Sequence, residues 1–551
     1  MTQVLRIEGL RVQSASGDVL VHDVDLELAR GEVLGLIGES GAGKSTIGLA
    51  ALTYARPGCR IVGGRVLLGG TDLRGLDAAG RRGVRGARVA YVAQSAAAAF
   101  NPAMSLLNQV CEGPVRHGLM SRAQARERAV EAFRALDLPD PHRFGERYPH
   151  QVSGGQLQRA MAAMAISCQP DVLVLDEPTT ALDVTTQIEV LAHLKKLIAL
   201  YGTAALYISH DLAVVAQIAD RIMVLRHGKI VETGPTQAIL TSPKTEYARA
   251  LVAERKAAER GVKTRERDRA DTVLTVDDVT VSYGRRDVVR AAQFTIARGE
   301  TVAVVGESGS GKTTLAYAIC GLVAARAGCI SFEGAPLAPH YTRRTREELR
   351  RIQLVFQLPD VALNPRHSVG LIVGRPAAFY FGMKGPDLKV RVAELLVSVG
   401  LDPSIANRYP GQLSGGQKQR VCIARALAAK PDLIVCDEVT SALDPLVGEE
   451  ILNLLRRLQE DLGVAYLFIT HDLGTVRRVA HRVVVMLDGS IVAQGAVADI
   501  FDRPGHPYFA RLMASAPQMR PGWLEEVLKG RAGLQGDTSI ARSGTGSHLL
   551  E

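Results

Sequence analysis

The strongest constraint on the fold of this chain is an internal repeat. The segment GESGAGKST at Gly38–Thr46 returns as GESGSGKTT at Gly306–Thr314, so that Lys44 and Lys312 lie 268 residues apart. The tetrapeptide SGGQ, an Asp-Glu pair and a His-Asp pair return in the same order, each after 261 residues. Blocks that keep one order and nearly one spacing indicate two copies of a single domain. A chain of 551 residues is long enough for two large α/β domains.

The repeat also predicts where each copy begins and ends. The two copies are expected over residues 1–253 and 272–518. Residues 254–271 between them carry many charges and little apolar periodicity, which predicts a solvated linker or a frayed helix. Residues 519–551 form a C-terminal tail, which we expect to be largely disordered because its end is rich in Gly, Ser and Thr.

Short apolar runs that alternate with helical periodicity predict an α/β fold in each copy. Such runs beside helices are typical of a mostly parallel, buried sheet with crossover helices. The predicted strands are Val19–Leu28, Val33–Ile37, Val172–Leu175 and Ala204–Ile208 in the first copy, and Thr301–Val305, Leu433–Val435 and Tyr466–Ile469 in the second. A helical stretch is predicted over residues 104–165.

Charge, aromatic content and cysteine spacing limit the classes of partner. The net charge of +9 suits an anionic ligand or surface without choosing among nucleotide, membrane and nucleic acid. With 5% aromatic residues, a stacking platform for single-stranded nucleic acid is not expected. The seven cysteines show no C-x-x-C spacing, which argues against a zinc site and favours a reducing compartment. No signal-peptide pattern and no run of about 18 apolar residues are found, so any membrane association is expected to be peripheral.

The repeated GESGxGK[ST] segment has the G-x-x-x-x-G-K-[ST] spacing of a phosphate-binding loop. Its glycines let backbone N–H groups surround phosphate oxygens, and the following helix points its positive end at them. Lys44 and Lys312 are expected to reach the β- and γ-phosphates. Ser45 and Thr313 are expected to ligate Mg²⁺. The predicted ATP-binding residues of the two loops are Gly38, Ser40, Gly41, Gly43, Lys44, Ser45 and Thr46, and Gly306, Ser308, Gly309, Gly311, Lys312, Thr313 and Thr314.

An acidic pair follows a buried strand in each copy. Asp176 and Glu177 follow the run Val172–Leu175, and Asp437 and Glu438 follow its counterpart. A carboxylate at the C-terminal end of such a strand lies beside the phosphate loop. Asp176 and Asp437 are therefore expected to hold Mg²⁺. Glu177 and Glu438 are expected to polarise the attacking water as general bases. The alternative, acidic residues that cap the next helix, loses weight because both pairs accompany a phosphate loop.

With the SGGQ segments, the sequence resembles the ATP-binding-cassette family over residues 4–253 and 272–518. SGGQ is the signature motif of that family, and here it comprises Ser153, Gly154, Gly155 and Gln156, and Ser414, Gly415, Gly416 and Gln417. The resemblance implies a mixed or mainly parallel sheet, an antiparallel β-subdomain and a helical subdomain in each copy. It also implies that the two cassettes pair head-to-tail, with each ATP between the phosphate loop of one and the signature motif of the other.

Six further positions match residues of this family. They are Gln94 and Gln357, Asp183 and Asp444, and His210 and His471. The resemblance implies that the glutamines contact Mg²⁺ and the attacking water, that the aspartates belong to a loop crossing the dimer interface, and that the histidines contact the γ-phosphate. A lone His before Asp at a strand end is more often structural, but its return after 261 residues favours the functional interpretation.

One position departs from the family pattern. Tyr283 of the second copy stands where the family stacks an aromatic ring on adenine, and the aligned residue of the first copy is Ser14. By analogy with aromatic–base stacking, the loss costs about 1–3 kcal/mol of binding free energy. We therefore expect weaker or differently posed nucleotide at the first site, although both catalytic glutamates are present.

Within the family, the sequence is most similar to the ATPase subunits of oligopeptide and dipeptide importers. Asn101-Pro102 and Asn364-Pro365 follow the glutamine loops, and His506-Pro507-Tyr508 resembles the His-Pro-Tyr region of that subfamily, with a weaker copy at Tyr247. No cysteine follows Cys436, so the iron–sulfur cluster of many members is not expected. The resemblance implies two transmembrane permease subunits and an extracytoplasmic solute-binding protein as partners, at the cytoplasmic face of the cell membrane.

The transported solute stays open, since the ATPase subunit does not select it. Oligopeptides or dipeptides are expected, with nickel, metallophores, glutathione and sugars as alternatives within the importer class. Soluble twin-cassette proteins that act on ribosomes are the rival from another class. They carry a longer charged linker than the one at 254–271 and lack the Asn-Pro stretch, so no nucleic acid partner is expected.

Overall fold

A computed structural model describes residues 2–179, 182–260, 271–441 and 443–530 of the chain. These residues form two compact units. The first unit contains the chain up to Arg255 together with a C-terminal piece that begins at Pro517, and the second contains Lys256–Ala516. Each unit has a six-stranded sheet, a four-stranded sheet and a group of helices, which confirms the predicted α/β fold class.

The strands of the first unit form an antiparallel sheet and a mainly parallel one. They are β1 (Gln3–Ser14), β2 (Val19–Ala29), β3 (Val33–Gly38), β4 (Cys59–Leu68), β5 (Thr71–Asp72), β6 (Val89–Val92), β7 (Val172–Asp176), β8 (Ala204–Ile208), β9 (Arg221–Arg226) and β10 (Lys229–Pro235). The central sheet has the order β10-β9-β3-β8-β7-β6, and the smaller sheet has the order β2-β1-β4-β5. In the central sheet β3 pairs in parallel with β8 and β9, and β10 pairs antiparallel with β9.

The burial of these strands follows from their sequences. Every residue of β3 and β7 is buried, as expected for strands covered on both faces. In β1 the pattern alternates instead, with Leu5 and Ile7 buried and Arg6 between them exposed. Such alternation is typical of a sheet with one face on the core and one in solvent. The predicted strands of both copies are confirmed to within a residue or two at each end.

Helices flank the sheets of the first unit. They are α1 (Lys44–Ala51), α2 (Ala78–Val84), α3 (Ala96–Ala99), α4 (Leu106–Arg116), α5 (Arg122–Ala135), α6 (Pro141–Phe144), α7 (Gly154–Ile166), α8 (Val184–Tyr201), α9 (Leu212–Ile218), α10 (Thr236–Thr241) and α11 (Glu246–Arg260), with a 3-10 turn at Pro149–Gln151. The helices α4 to α7 form the predicted helical stretch. Phe133 and Phe144 pack edge-to-face at its centre, with 5.3 Å between ring centroids.

The second unit repeats this plan. Its strands are β11 (Thr272–Tyr283), β12 (Arg286–Ala297), β13 (Thr301–Val305), β14 (Ala327–Phe332), β15 (Ala335–Pro336), β16 (Ile352–Val355), β17 (Leu433–Asp437), β18 (Ala465–Ile469), β19 (Arg482–Leu487) and β20 (Ser490–Ala496). The central sheet has the order β16-β17-β18-β13-β19-β20, and the antiparallel sheet has the order β12-β11-β14-β15. Counted from the opposite edge, this central order is the same as that of the first unit, as expected for two copies of one domain.

The helices of the second unit also correspond to those of the first. They are α12 (Lys312–Ile319), α13 (Arg346–Arg351), α14 (Pro359–Ala362), α15 (Val369–Phe381), α16 (Gly385–Ser398), α17 (Gly415–Leu427), α18 (Pro445–Leu462), α19 (Leu473–Val479), α20 (Val497–Asp502) and α21 (Pro507–Ala514), with 3-10 turns at Tyr341–Arg343, Pro403–Asn407 and Pro410–Gln412. No helix within the described ranges has both the length and the apolar composition needed to cross a bilayer.

The C-terminal piece of the first unit packs on α8 and α9. Gln217 in α9 is buried, and its Nε2 donates to the carbonyl oxygens of Gln518 at 2.6 Å and Arg520 at 3.2 Å. Its Oε1 accepts from the N–H of Leu524 at 3.2 Å. Lys195 in α8 forms an ion pair with Glu525. The buried amide of Gln217 thus satisfies the backbone of the tail, as a buried polar group requires.

These contacts differ from the disorder predicted for 519–551. Residues 523–530 are helical, and the side chains of Trp523 and Leu524 are buried. Burial of these two apolar side chains gives the segment a reason to fold that its polar end lacks. Residues 531–551 lie outside the described residues.

At its start, the predicted linker takes the helical one of the two forms that its sequence favours. Residues 254–260, assigned to the linker from 254–271, are the last part of α11. Residues 261–270 lie outside the described residues. The chain therefore leaves the first cassette as a helix, because the alanine-rich and charged sequence of this segment suits a helix as well as a solvated linker.

Candidate nucleotide-binding and hydrolysis sites

In each unit the glycine-rich loop connects a buried strand to a helix. It lies between β3 and α1 in the first unit and between β13 and α12 in the second. The glycines before the two helices, Gly43 and Gly311, have φ of 93° and 98°. This left-handed conformation suits glycine, which has no Cβ. The sharp turn leaves the first N–H groups of each helix at the loop, where they can bind phosphate oxygens.

The other predicted loop residues lie in the same two segments. They occupy the end of the strand, the loop or the first turn of the helix, at Gly38, Ser40, Gly41 and Thr46, and at Gly306, Ser308, Gly309 and Thr314. A Cβ at Gly38 would lie 2.1 Å from the carbonyl oxygen of Leu225, so a larger residue would displace the loop from the sheet.

The loop lysines are buried and fold back onto the loop. Lys44 Nζ donates to the carbonyl oxygens of Gly38 at 2.6 Å and Glu39 at 2.8 Å. Lys312 Nζ donates to the two equivalent carbonyl oxygens at 2.9 and 2.7 Å. A phosphate in the loop would offer each ammonium group a charged acceptor, which forms a stronger hydrogen bond than a neutral carbonyl.

The predicted Mg²⁺ ligands of each loop lie beside one another. Ser45 Oγ donates to Asp176 Oδ1 at 2.8 Å, and Thr313 Oγ1 donates to Asp437 Oδ1 at 3.3 Å. A hydroxyl and a carboxylate form the hard oxygen donor set that Mg²⁺ prefers, so these residues fit the ion. No cluster of three or more His, Cys, Asp or Glu side chains suited to a metal is found in the described part of the chain. Mg²⁺ commonly completes its shell with substrate phosphates and water.

In the first unit, Glu177 lies at the centre of a hydrogen-bonded cluster. His210 Nδ1 is 3.1 Å from one carboxylate oxygen of Glu177, and Gln94 Nε2 donates to the other at 3.1 Å. The structure therefore brings Gln94 to the glutamate rather than directly to the Ser45–Asp176 pair. Glu177 follows β7 directly and has φ of 48°, a conformation that costs energy for a residue with a side chain.

The second unit has the same cluster. His471 Nδ1 is 3.1 Å from Glu438, and Gln357 Nε2 donates to the other carboxylate oxygen at 2.6 Å. Glu438 also has φ of 48°. Two sequences that differ at many surrounding positions thus place the same three side chains in one arrangement.

Charge in the cluster of the second unit favours an ionised Glu438. Burial alone would lower the pKa of His471, but its hydrogen bond to Glu438 and the charge of that carboxylate outweigh burial and raise it. Burial would raise the pKa of Glu438, but His471 and Lys312 outweigh burial and lower it. An ionised carboxylate can accept a proton from water, as a general base must. In the neighbouring Asp437, burial and then the charge of Glu438 raise the pKa to about 6.

The SGGQ segments begin the helices α7 and α17. Ser153 Oγ accepts the N–H of Gln156 at 3.3 Å, and Gln156 Oε1 accepts the N–H of Ser153 at 3.2 Å. Ser414 and Gln417 make the same reciprocal cap at 3.3 and 3.0 Å. This capping box fixes the start of each helix. Ser153 and Gly154, like Ser414 and Gly415, are exposed and leave a helix N-terminus open to solvent.

The aspartates predicted to cross the cassette interface cap helices in their own units. Asp183 Oδ1 accepts the N–H of Thr186 at 3.0 Å, and Asp444 Oδ1 accepts the N–H of Val447 at 3.1 Å. Residues 180, 181 and 442, which precede them in the same loops, lie outside the described residues. A role of Asp183 and Asp444 at nucleotide therefore stays a prediction.

The two units differ in local structure at the position where an aromatic ring is predicted to stack on adenine. Tyr283 ends β11 with its side chain 53% exposed, so its ring can take a flat ligand. Ser14 ends β1 and lies in a hydrogen-bonded turn, where its Oγ contacts Ser16 and accepts the N–H of Asp18. The first unit thus has a polar turn where the second presents an aromatic ring.

Three tyrosines contact these sites without having been assigned a role from sequence. Tyr91 in β6 donates to Asp176 Oδ2 at 2.6 Å, and the aligned residue of the second unit is Leu354. Tyr247 and Tyr508 accept hydrogen bonds from the backbone N–H groups of the phosphate loops. The repeat marked Tyr247 and Tyr508 as related, but no local pattern indicated which residues they contact.

Two phosphate loops, each beside an ionisable Glu–His pair at the edge of a mainly parallel sheet, define a tandem P-loop ATPase. The family model described as ABC transporter matches residues 21–180 and 289–441, and the chain belongs to this family. A second model, described as the C-terminal region of oligopeptide/dipeptide transporters, matches residues 492–541.

Two relatives of similar length agree with this assignment. The chain is 38% identical over 564 residues to the glutathione import ATP-binding protein GsiA of Escherichia coli strain K12, with 94% of this chain and 90% of the relative covered. The protein of the same name from Shigella flexneri matches with the same identity and coverage. The solved structure of cbiO1 from Clostridium perfringens is 30% identical, covers 44% of this chain and 99% of that one, and has a TM-score of 0.38. The two family matches and the GsiA relatives together show that the chain is an ATP-hydrolysing subunit of an importer.

Proposed function

We propose that this chain binds ATP at two composite sites and couples its hydrolysis to the uptake of short peptides. The observation that carries the proposal is the repeated cluster of glutamate, histidine and glutamine beside a phosphate loop. Glu177 and Glu438 would each accept a proton from the attacking water, and the paired histidines would hold the glutamates and contact the γ-phosphate.

The phosphate loops and the hydroxyl–carboxylate pairs would bind the nucleotide. Lys44 and Lys312 would leave their carbonyl partners for the β- and γ-phosphates. Mg²⁺, when bound, would neutralise charge on the β- and γ-phosphates. Ser45 and Asp176, and their counterparts Thr313 and Asp437, would hold the ion, with Gln94 and Gln357 reaching it and the water from the glutamate side.

Each site would be completed by the SGGQ segment of the other cassette. The exposed N-termini of α7 and α17 support this proposal, because a helix N-terminus attracts the negative charge of a γ-phosphate. The backbone N–H groups of Gly154 and Gly415 and the serine hydroxyls would then bind ATP from the far side. ATP binding would close such a head-to-tail pair, and hydrolysis would release it.

The importer assignment implies two permease subunits and an extracytoplasmic binding protein as partners. The chain would then lie peripherally at the cytoplasmic face of the cell membrane. The match of residues 492–541 to the oligopeptide and dipeptide transporter region favours short peptides as cargo. Glutathione is itself a tripeptide, and relatives named for its import make it the first candidate to test.

Co-purification tests this proposal. The tagged chain is isolated from membranes of its native host, and its partners are identified by mass spectrometry. Two multispanning permeases and a binding protein encoded with them are expected, and the purified binding protein is expected to be stabilised against heat by glutathione or short peptides. Recovery of ribosomes instead of permeases would refute the importer function. If nickel, a metallophore or a sugar stabilises the binding protein instead, that solute takes the place of short peptides as the proposed cargo.

A further inference from the structure

The His-Pro-Tyr segment builds the start of α21. His506 Nδ1 accepts the N–H of Tyr508 at 3.2 Å and so caps the helix. Pro507 occupies the first helical position, where an N–H has no intrahelical partner and its absence costs nothing. Phe509 and Leu512 bury the helix against the second unit, with Phe509 packed edge-to-face on Phe501. These residues fix the helix, and the helix fixes Tyr508 in its first turn.

Tyr508 reaches the phosphate loop from this helix. The side chain is buried, and its hydroxyl oxygen accepts the backbone N–H of Glu307 at 2.8 Å. Glu307 is the second residue of the phosphate loop, and its carbonyl oxygen accepts Lys312 Nζ at 2.7 Å. Glu307 is therefore held on its N–H side by a tyrosine and on its carbonyl side by the phosphate-binding lysine.

The first unit makes the same contact with a different helix start. Tyr247 is buried in the first turn of α11, and its hydroxyl oxygen accepts the N–H of Glu39 at 3.1 Å. Here Thr245, and not a histidine, caps the helix by accepting the N–H of Ala248 at 3.3 Å. Tyr247 and Tyr508 are 261 residues apart, the spacing of the catalytic pairs. The capping residues differ between the two units, whereas the tyrosine and its contact with the loop are the same.

We propose that Tyr247 and Tyr508 are positioning residues that hold the phosphate loops in the conformation that binds ATP. Lys44 and Lys312 must leave the loop carbonyls when phosphate binds, which removes one hydrogen bond from Glu39 and one from Glu307. The hydrogen bond from the backbone N–H of each glutamate to the tyrosine hydroxyl does not involve the lysine, so it remains when phosphate binds. Without the tyrosine hydroxyl, the loop N–H loses this acceptor, and the loop conformation that binds ATP is less populated. The apparent affinity for ATP falls in proportion to that population. The inference rests on the proposed assignment of these loops as ATP sites.

The test removes the two hydroxyls and keeps the rings. The Tyr247→Phe/Tyr508→Phe chain is expected to bind Mg²⁺-ATP about three- to tenfold more weakly, the equivalent of one hydrogen bond. The same rise is expected in the KM for ATP, with kcat at saturating ATP within about twofold of the parent, because the tyrosines do not touch the reacting atoms. Equilibrium titration with a fluorescent ATP analogue and steady-state ATPase kinetics measure the two quantities.

A matched control separates positioning from stability. Tyr466 is as buried as Tyr508, and its hydroxyl donates to the carbonyl oxygen of Leu455 at 3.1 Å, away from the loop. Tyr466→Phe is expected to lower thermal stability without changing ATP affinity. Equal affinity in the parent and the double variant, or an equal loss in Tyr466→Phe, would overturn the inference. Retention of parental affinity in Lys44→Ala/Lys312→Ala would instead overturn the assignment of the ATP sites.

Discussion

Glu177 and Glu438 each follow a buried strand in a left-handed backbone conformation, with φ of 48°. Such a conformation costs a residue with a side chain about 1–3 kcal/mol and persists only where its surroundings enforce it. Here the preceding strand is buried, and each carboxylate is hydrogen-bonded by a histidine and a glutamine. Gln169 and Lys430 repeat a positive φ away from these sites, so the backbone conformation alone does not mark chemistry. The hydrogen bonds that each carboxylate receives from a histidine and a glutamine favour a role in chemistry.

Replacement of these glutamates by glutamine tests that role directly. Glutamine keeps the size of the side chain but is no base, so Glu177→Gln/Glu438→Gln is expected to lower steady-state ATPase by about 10²- to 10⁴-fold. Filter binding is expected to show ATP retained by the double variant, because binding does not need the base. Glu127→Gln on the exposed face of α5 serves as the control and is expected to keep parental activity. If the double variant hydrolysed ATP at the parental rate, Glu177 and Glu438 would be excluded as the general bases.

The two glycines of each SGGQ segment have different tasks within the helical elements. A Cβ on Gly155 would lie 2.3 Å from Thr186 Cγ2, and a Cβ on Gly416 would lie 2.5 Å from Val447 Cγ1. These glycines therefore let α7 approach α8, and α17 approach α18. Nothing lies within 4 Å of the equivalent position at Gly154. The first glycine is free for a ligand, while the second is required by helix packing.

This division predicts unequal effects of alanine on the stability of the first unit at two adjacent positions. Gly155→Ala forces the side chain of Thr186 or the helix to move, and such overpacking is expected to destabilise the first unit by about 1–3 kcal/mol. Gly154→Ala has open space and is expected to change the free energy of unfolding by no more than about 0.5 kcal/mol. Urea unfolding followed by circular dichroism compares the two variants with the parent. Equal stability of both variants would contradict the packing role of Gly155.

At the scale of the whole molecule, sequence predicted what is local and missed what is distant. The strands β3, β8 and β13 are apolar runs beside glycine-rich loops or helices, and their bounds could be read almost directly. The contact of Tyr508 with Glu307 joins residues 201 positions apart, and no local pattern specifies such a partner. The α/β fold class could be predicted from the repeated motifs, because the phosphate loop and the SGGQ segment occur together in this one type of domain.

The tail shows the same limit. The predicted disorder of 519–551 came from its composition, which is dominated by the polar residues beyond 530. Trp523 and Leu524 are too few to suggest a packed element by periodicity. They fold because α8 and α9 supply a surface and Gln217 supplies hydrogen bonds to the backbone. The chain thus leaves the second unit at Ala516 and ends, over its described residues, in the first.

Trp523 is the single tryptophan of the chain, so its fluorescence reports directly on this tail. Gln217→Ala removes three hydrogen bonds to the tail, worth about 2–4 kcal/mol together, and is expected to release it. Release would shift the emission of Trp523 to longer wavelength and raise its quenching by acrylamide. Lys195→Ala, which loses the ion pair with Glu525, is expected to have a smaller effect in the same direction.

Lys196→Ala is the matched control for the tail experiment, because this exposed neighbour of Lys195 on α8 points to solvent. Its emission and quenching are expected to equal those of the parent chain. A second measurement guards against a general loss of structure: far-ultraviolet circular dichroism of Gln217→Ala should stay close to that of the parent, since only residues 517–530 are released. If Trp523 in Gln217→Ala is as protected from acrylamide as in the parent, the amide of Gln217 does not hold the tail, and the burial of Trp523 and Leu524 must suffice.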